Sequence, residues 1–154
     1  MELLHYEDFS PGQVFDLGSR EVSKEEIVEF ARQWDPQAFH IDEDAGRKTP
    51  FGTLIGSGVH SWAIAQRLAV DGLLGRSACV ASPGYEHLHL LKPLLPGATL
   101  RLRITIKKTA VSASRPEIGK VTMLYELLDR SDVPILDALA MIFFRRREGS
   151  IAAP

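Results

Sequence analysis

Cysteine is nearly absent: Cys79 is the only one in 154 residues. No internal disulfide can form, which fits a reducing compartment and leaves the fold to rest on its core. Long apolar runs are missing too. Nothing approaches the ~20 consecutive apolar residues that cross a bilayer as a helix. The opening Met-Glu-Leu-Leu-His-Tyr-Glu-Asp has neither the basic start nor the apolar stretch of a signal peptide. Charge of one sign is lacking, since 18 Lys and Arg against 20 Asp and Glu leave a formal −2. That balance gives no electrostatic ground for a nucleic-acid or anionic-membrane partner. There is no repeat, no low-complexity segment, and no zinc, phosphate-loop or dinucleotide motif. The expectation is a soluble cytoplasmic protein with no metal, no nucleic acid and no membrane partner.

What is present reads as a globular chain. Hydrophobic residues make up 45% and charged residues 25%, both ordinary values. The length fits one domain spanning 1–154, able to bury roughly two-thirds of its unfolded surface. Residues 1–10 read as a loosely docked arm, ended by the turn Ser10-Pro11-Gly12-Gln13. A strand over 14–22 follows. Ser23-Lys24-Glu25-Glu26 is a capping box, and Ile27, Phe30, Ala31 and Trp34 recur at helical spacing, predicting a helix over 24–34. Pro36 disfavours helical geometry at Asp35, which ends it. A short helical turn is expected over 43–48. A second helix, 57–74, is apolar on more than one face and rich in small residues, so it is expected to be buried. Strand patterns over 78–82 and 85–91 are broken by a bulge at Pro83-Gly84. After the proline turn 92–97, Leu100, Leu102, Ile104 and Ile106 alternate with Arg101, Arg103, Thr105 and Lys107, and 121–129 alternates likewise. A polar loop over 112–119 separates them. The last strand, 135–146, is expected to end in solvent at Arg145-Arg146-Arg147. One long helix and several antiparallel strands give an α+β fold in which a sheet curls around the helix.

Few residues carry chemistry. Asp35 and His40 are five apart. On a continuous helix they would be ~140° out of phase, but in a segment broken by Pro36 they can converge. An imidazole beside a carboxylate moves protons near neutral pH. The plainer reading is a helix terminator and a satisfied loop histidine. Gly56-Ser57-Gly58 opens the second helix, where free N–H groups and the positive dipole end can stabilise a developing oxyanion. Close packing of glycines is the plainer reading. Ser57 lacks a nucleophile elbow and reads as a helix cap. His87 and His89 share one strand face, but no third ligand at suitable spacing accompanies them, so a strand surface is expected. His60 either is buried or lines the site. Cys79 reads as an inert core thiol.

The stretch Asp35-Pro-Gln-Ala-Phe-His40-Ile-Asp42, with Thr49-Pro-Phe-Gly52 and Ile55-Gly-Ser-Gly58, resembles the hydratase motif of the MaoC-like acyl dehydratases. That family includes the (R)-specific enoyl-CoA hydratases. Phe9-Ser-Pro-Gly-Gln-Val-Phe15 and Leu91-Lys-Pro-Leu-Leu-Pro-Gly97 match further family features. The resemblance implies a hot-dog fold, a curved antiparallel sheet around one helix, and a dimer with sites near the subunit interface. It implies hydration of an enoyl thioester, or the reverse dehydration, as in fatty acid metabolism. Asp35 and His40 would be the acid/base pair and the Gly58 amide the oxyanion donor. No cofactor is implied; CoA or an acyl carrier would arrive as part of the substrate. Trp34, Gln37, Ala38 and Ser57 replace the family's common Gly, Asn, Pro and His. These departures bear on substrate size and shape, and Trp34 is expected to narrow the acyl pocket. The substrate-contacting set is then Trp34, Gln37, Phe39, Phe51 and Ser57. A hot-dog acyl-CoA thioesterase and a non-catalytic acyl-thioester-binding subunit are the alternatives.

Overall fold

Ser23 accepts a hydrogen bond from the Glu26 N–H at 3.1 Å and starts helix α1, Lys24–Trp34. The computed structural model, which describes residues 3–150, forms only this half of the capping box. The Glu26 carboxylate turns instead to Arg20 at 2.7 Å, a charge-assisted bond stronger than one to a backbone amide, and lies 3.3 Å from His60. Two one-turn helices follow, α2 (Ala38–Ile41) and α3 (Glu43–Arg47). The long helix α4 covers Gly58–Gly72 and ends in a 3-10 turn, Leu74–Arg76.

The strands are β1 (Val14–Val22), β2 (Cys79–Leu90), β3 (Ala98–Val111), β4 (Ile118–Leu128) and β5 (Pro134–Arg145). They form one antiparallel sheet in the order β1-β3-β4-β5-β2. The period-two pattern buries Leu100, Leu102, Ile104 and Ile106 in β3 and stops there, at a register shift between Ile106 and Lys108. On the same face β4 contributes Val121, Met123, Tyr125 and Leu127, and β5 contributes Leu136, Ala138, Ala140 and Ile142. This concave face holds Ile64, Ala65, Leu68 and Ala69 of α4. Each large aliphatic side chain so buried contributes about 1.5–3 kcal/mol of transfer free energy. The sheet thus wraps the helix, as the hot-dog fold requires. α4 is not buried all round, however: Val59 and Val70 are exposed, and Arg67 pairs with Asp71 on the outer flank.

β2 differs from its neighbours. It pairs only with β5, its register shifts between Ala81 and Gly84 and again between Tyr85 and His87, and most of it is exposed. Gly84 sits at φ 140°, at the break that Pro83-Gly84 predicts.

The N-terminal arm is docked rather than loose. Leu4 bridges Ser77, and Phe9 is buried with its ring centroid 4.5 Å from that of Phe144. Tyr6 lies so close over Gly119 that a Cβ there would fall 1.9 Å from its ring. Nor do the terminal arginines run into free solvent. Arg146 pairs with Glu7 at 3.1 Å and Arg147 with Asp8 at 2.8 Å. Acids of the first turn and bases just past the last strand neutralise each other across the molecule, which short sequence windows cannot show. Among the described residues no helix is long and apolar enough to cross a membrane.

Candidate active site

α1 ends at Asp35, whose N–H still bonds the Ala31 carbonyl at 2.8 Å. Pro36 then turns the chain, and α2 forms a single turn that the sequence pattern does not signal. That turn carries His40 back beneath Asp35. His40 is buried, with 5% of its surface exposed. Its Nδ1 lies 2.7 Å from the Ile55 carbonyl oxygen. A carbonyl only accepts, so Nδ1 holds the ring proton and the neutral ring offers its Nε2 lone pair. That Nε2 faces Asp35 Oδ2 at 3.4 Å.

Both Asp35 oxygens are anchored. Oδ2 accepts from the Ser57 hydroxyl at 2.6 Å, and Oδ1 accepts from Gln37 Nε2 at 2.8 Å. The Ser57 bond first, then the Gln37 bond, outweigh partial burial and hold the carboxyl below its ordinary pKa, with His40 adding a smaller pull. Ser57 also caps α4, accepting the Val59 N–H at 3.2 Å. One hydroxyl therefore ties the helix start to the carboxylate.

The next residue, Gly58, is the first of α4, where the N–H has no partner within the helix. Among the described residues no other acceptor takes it. A Cβ at Gly58 would stand 2.2 Å from Leu90 Cδ1, so any other residue here would push the Leu90 side chain aside. Asp35, His40, Gln37, Ser57 and Gly58 line one cleft of about 440 Å³. Phe51 and the segment 90–94 form its other walls, and Gly56 is tied to that segment by its N–H to the Leu94 carbonyl at 2.7 Å.

Two residues read as substrate contacts lie elsewhere. Trp34 does not line the cleft; it is 70% exposed at the last turn of α1, beyond the buried Ile27 and Ala31 stripe. Phe39 packs edge-on behind the His40 ring, centroids 4.4 Å apart, outside the lining. Sequence reasoning missed Leu90 and Leu91 as walls, since only the fold brings the end of β2 against the start of α4. His60 is buried under α1, stacked on Phe30 at 4.3 Å, and burial lowers its pKa. It is not part of the cleft lining. Cys79 is exposed rather than a core thiol, being on the open edge strand.

The His87–His89 pair is more than a bare strand surface. Asp137 of β5 pairs directly with His89 in register, and its Oδ1 lies 2.9 Å from His89 Nδ1 and 3.4 Å from His87 Nε2. The sequence shows no such third group because it lies 48 residues on, across a strand pairing.

Comparison with known proteins agrees with the fold. Residues 8–129 match the MaoC like domain. The crystal structure of a MaoC-like dehydratase from Rhodospirillum rubrum is 33% identical, with a TM-score of 0.86 over 94% of this chain and 98% of that one. The uncharacterized protein YdeM of Bacillus subtilis is 28% identical over 140 residues, 91% of this chain and 98% of YdeM. A 3-hydroxybutyryl-CoA dehydratase of Methylorubrum extorquens is 22% identical over 149 residues, 96% of this chain and 88% of that protein. With the domain matched over most of its length and the curved sheet around α4 in place, the chain belongs to the MaoC-like hydratase/dehydratase family.

Proposed function

We propose that the protein hydrates an α,β-unsaturated acyl thioester, or dehydrates the 3-hydroxyacyl product, in the Asp35–His40 cleft. The observation that carries this reading is the meeting of three groups in one cavity: an ionised carboxylate, an imidazole with a free Nε2, and an unpartnered helix-start amide. Asp35 Oδ2 and His40 Nε2 are both acceptors, so together they can hold one water through its two hydrogens. The water oxygen then attacks C3 as His40 takes its proton. The C2=C3 electron pair moves onto C2 and the thioester oxygen, and the Gly58 N–H at the positive end of α4 stabilises that charge. The imidazolium, held beside Asp35, returns a proton to C2. Asp35 stays ionised throughout, consistent with its lowered pKa. The name of the Methylorubrum relative supports the reaction class.

Incubation with crotonyl-CoA tests this, following loss of the enoyl absorbance and, separately, thiol release. Hydration without free thiol is expected. Thiol release without hydration makes the protein a thioesterase. Binding with neither makes it an acyl-thioester carrier subunit.

We further propose that the protein works as a homodimer, with a second copy covering β2. This edge strand exposes Val80, Tyr85 and Leu90 beside Leu91, and such edges are usually paired or covered. Light scattering at high concentration that finds only monomer overturns this.

A further inference from the structure

We propose that His87, His89 and Asp137 form a binding site for a divalent transition-metal ion of the zinc type, separate from the cleft. The two histidines are i, i+2 on β2, and the register puts both on the sheet face turned away from α4. Asp137 stands directly across from His89 on β5. The three candidate ligand atoms all lie within 4.8 Å of one another, and the imidazoles are already parallel, 9° apart with centroids at 4.5 Å. Zinc–ligand bonds of ~2.0–2.1 Å in a tetrahedron set ligand atoms roughly 3.3 Å apart. The Asp137 distances to His87 and His89, 3.4 and 2.9 Å, bracket that spacing. Small rotations of exposed side chains bring the two ring nitrogens together.

The surroundings fit a cation. One row of polar side chains crosses the outer face in register: Asp16, Arg103, Glu126, Asp137, His89. Arg103 is taken by Glu126 at 3.0 Å. Among the described residues no lysine or arginine pairs with Asp137; its side-chain partners are the two histidines. Both ligand strands are hydrogen-bonded into the sheet, which fixes their spacing without loops. Half-buried Leu139, opposite His87, gives the site an apolar flank. Two imidazoles and one carboxylate suit zinc, cobalt or nickel rather than magnesium or calcium, which prefer all-oxygen sites. Three protein ligands leave a coordination position for water.

The test uses full-length protein carrying no polyhistidine tag. Equilibrium dialysis against Zn2+ is expected to give one ion per chain in the micromolar range. Co2+ is expected to give a visible absorption band of a low-coordinate site, and excess Mg2+ is expected not to compete. His87→Ala, His89→Ala and Asp137→Asn are each expected to weaken binding at least tenfold, while His40→Ala keeps it. Hydration of crotonyl-CoA by the three outer-face variants keeps its wild-type rate, so failure of the site and failure of the hydratase reading remain distinguishable. Absence of saturable Zn2+ binding overturns the proposal. So does binding that survives His89→Ala and Asp137→Asn, or that is lost with His40→Ala.

Discussion

Two histidine–aspartate clusters flank the end of β2, and they differ in every respect that sets chemistry. In the cleft, Asp35 and His40 come from one short stretch of chain, and a backbone carbonyl fixes the buried imidazole. Two side chains, Ser57 and Gln37, hold the carboxylate in place. On the outer face, His87, His89 and Asp137 come from two strands, stay partly exposed, and among the described residues pair only with each other. The cleft pair faces a cavity and an open amide; the outer set faces solvent. Enclosure with a fixed tautomer favours proton transfer, whereas convergent, accessible donors favour holding an ion.

The sharpest way to break this contrast is to disable the cleft pair. Asp35→Asn and His40→Ala are each expected to lower kcat for crotonyl-CoA hydration by about 10²–10⁴-fold. Unchanged rates would move the site elsewhere. The converse substitutions, at His87, His89 and Asp137, remove metal binding and leave hydration intact.

Ser57→Ala is expected to act on two properties at once. Loss of the cap costs about 0.5–2 kcal/mol, read by denaturant unfolding. Loss of the bond to Oδ2 lets the Asp35 pKa rise toward its ordinary value, so the acid limb of the pH–rate profile moves to higher pH. The sign for stability is the same. Because the folded pKa lies below the unfolded one, the stabilising contribution of Asp35 is present above the ordinary carboxylate range. It disappears as pH falls through the lowered value. In Ser57→Ala that loss begins at higher pH. Gln37→Ala, which removes the bond to Oδ1, is expected to shift the same limb less. The smallest effect is expected from Trp34→Ala. Its indole lies outside the cleft, so KM for short enoyl-CoA substrates stays at the wild-type value.

The same contrast explains what the sequence could reveal. The cleft pair was legible because Asp35 and His40 are neighbours and Pro36 marks the break that lets them meet. α1, α4 and β3 were legible because a cap, a run of small residues or strict alternation is local information. The outer cluster was not, since its third member depends on the β2–β5 register, where a one-residue slip turns a side chain to the other face. The exposed position of Trp34 was not legible for a related reason: helical spacing assigns a face but not where the last turn of α1 points. The docked arm was missed because its acids meet bases at the far end of the chain.

That arm has a consequence for how the protein is made. Glu7 and Asp8 leave the ribosome early, yet Arg146 and Arg147 follow 139 residues later. Phe9 has the Phe15 ring beside it early, but its closer ring contact, with Phe144, comes only with the last strand. Leu4 and Tyr6 can meet Ser77 and Gly119 earlier, but the ion pairs of Glu7 and Asp8 and the closest packing of Phe9 wait until the final strand emerges. Full docking of the arm is therefore a closing event, and a nascent chain stalled before residue 144 is expected to keep this segment open to protease.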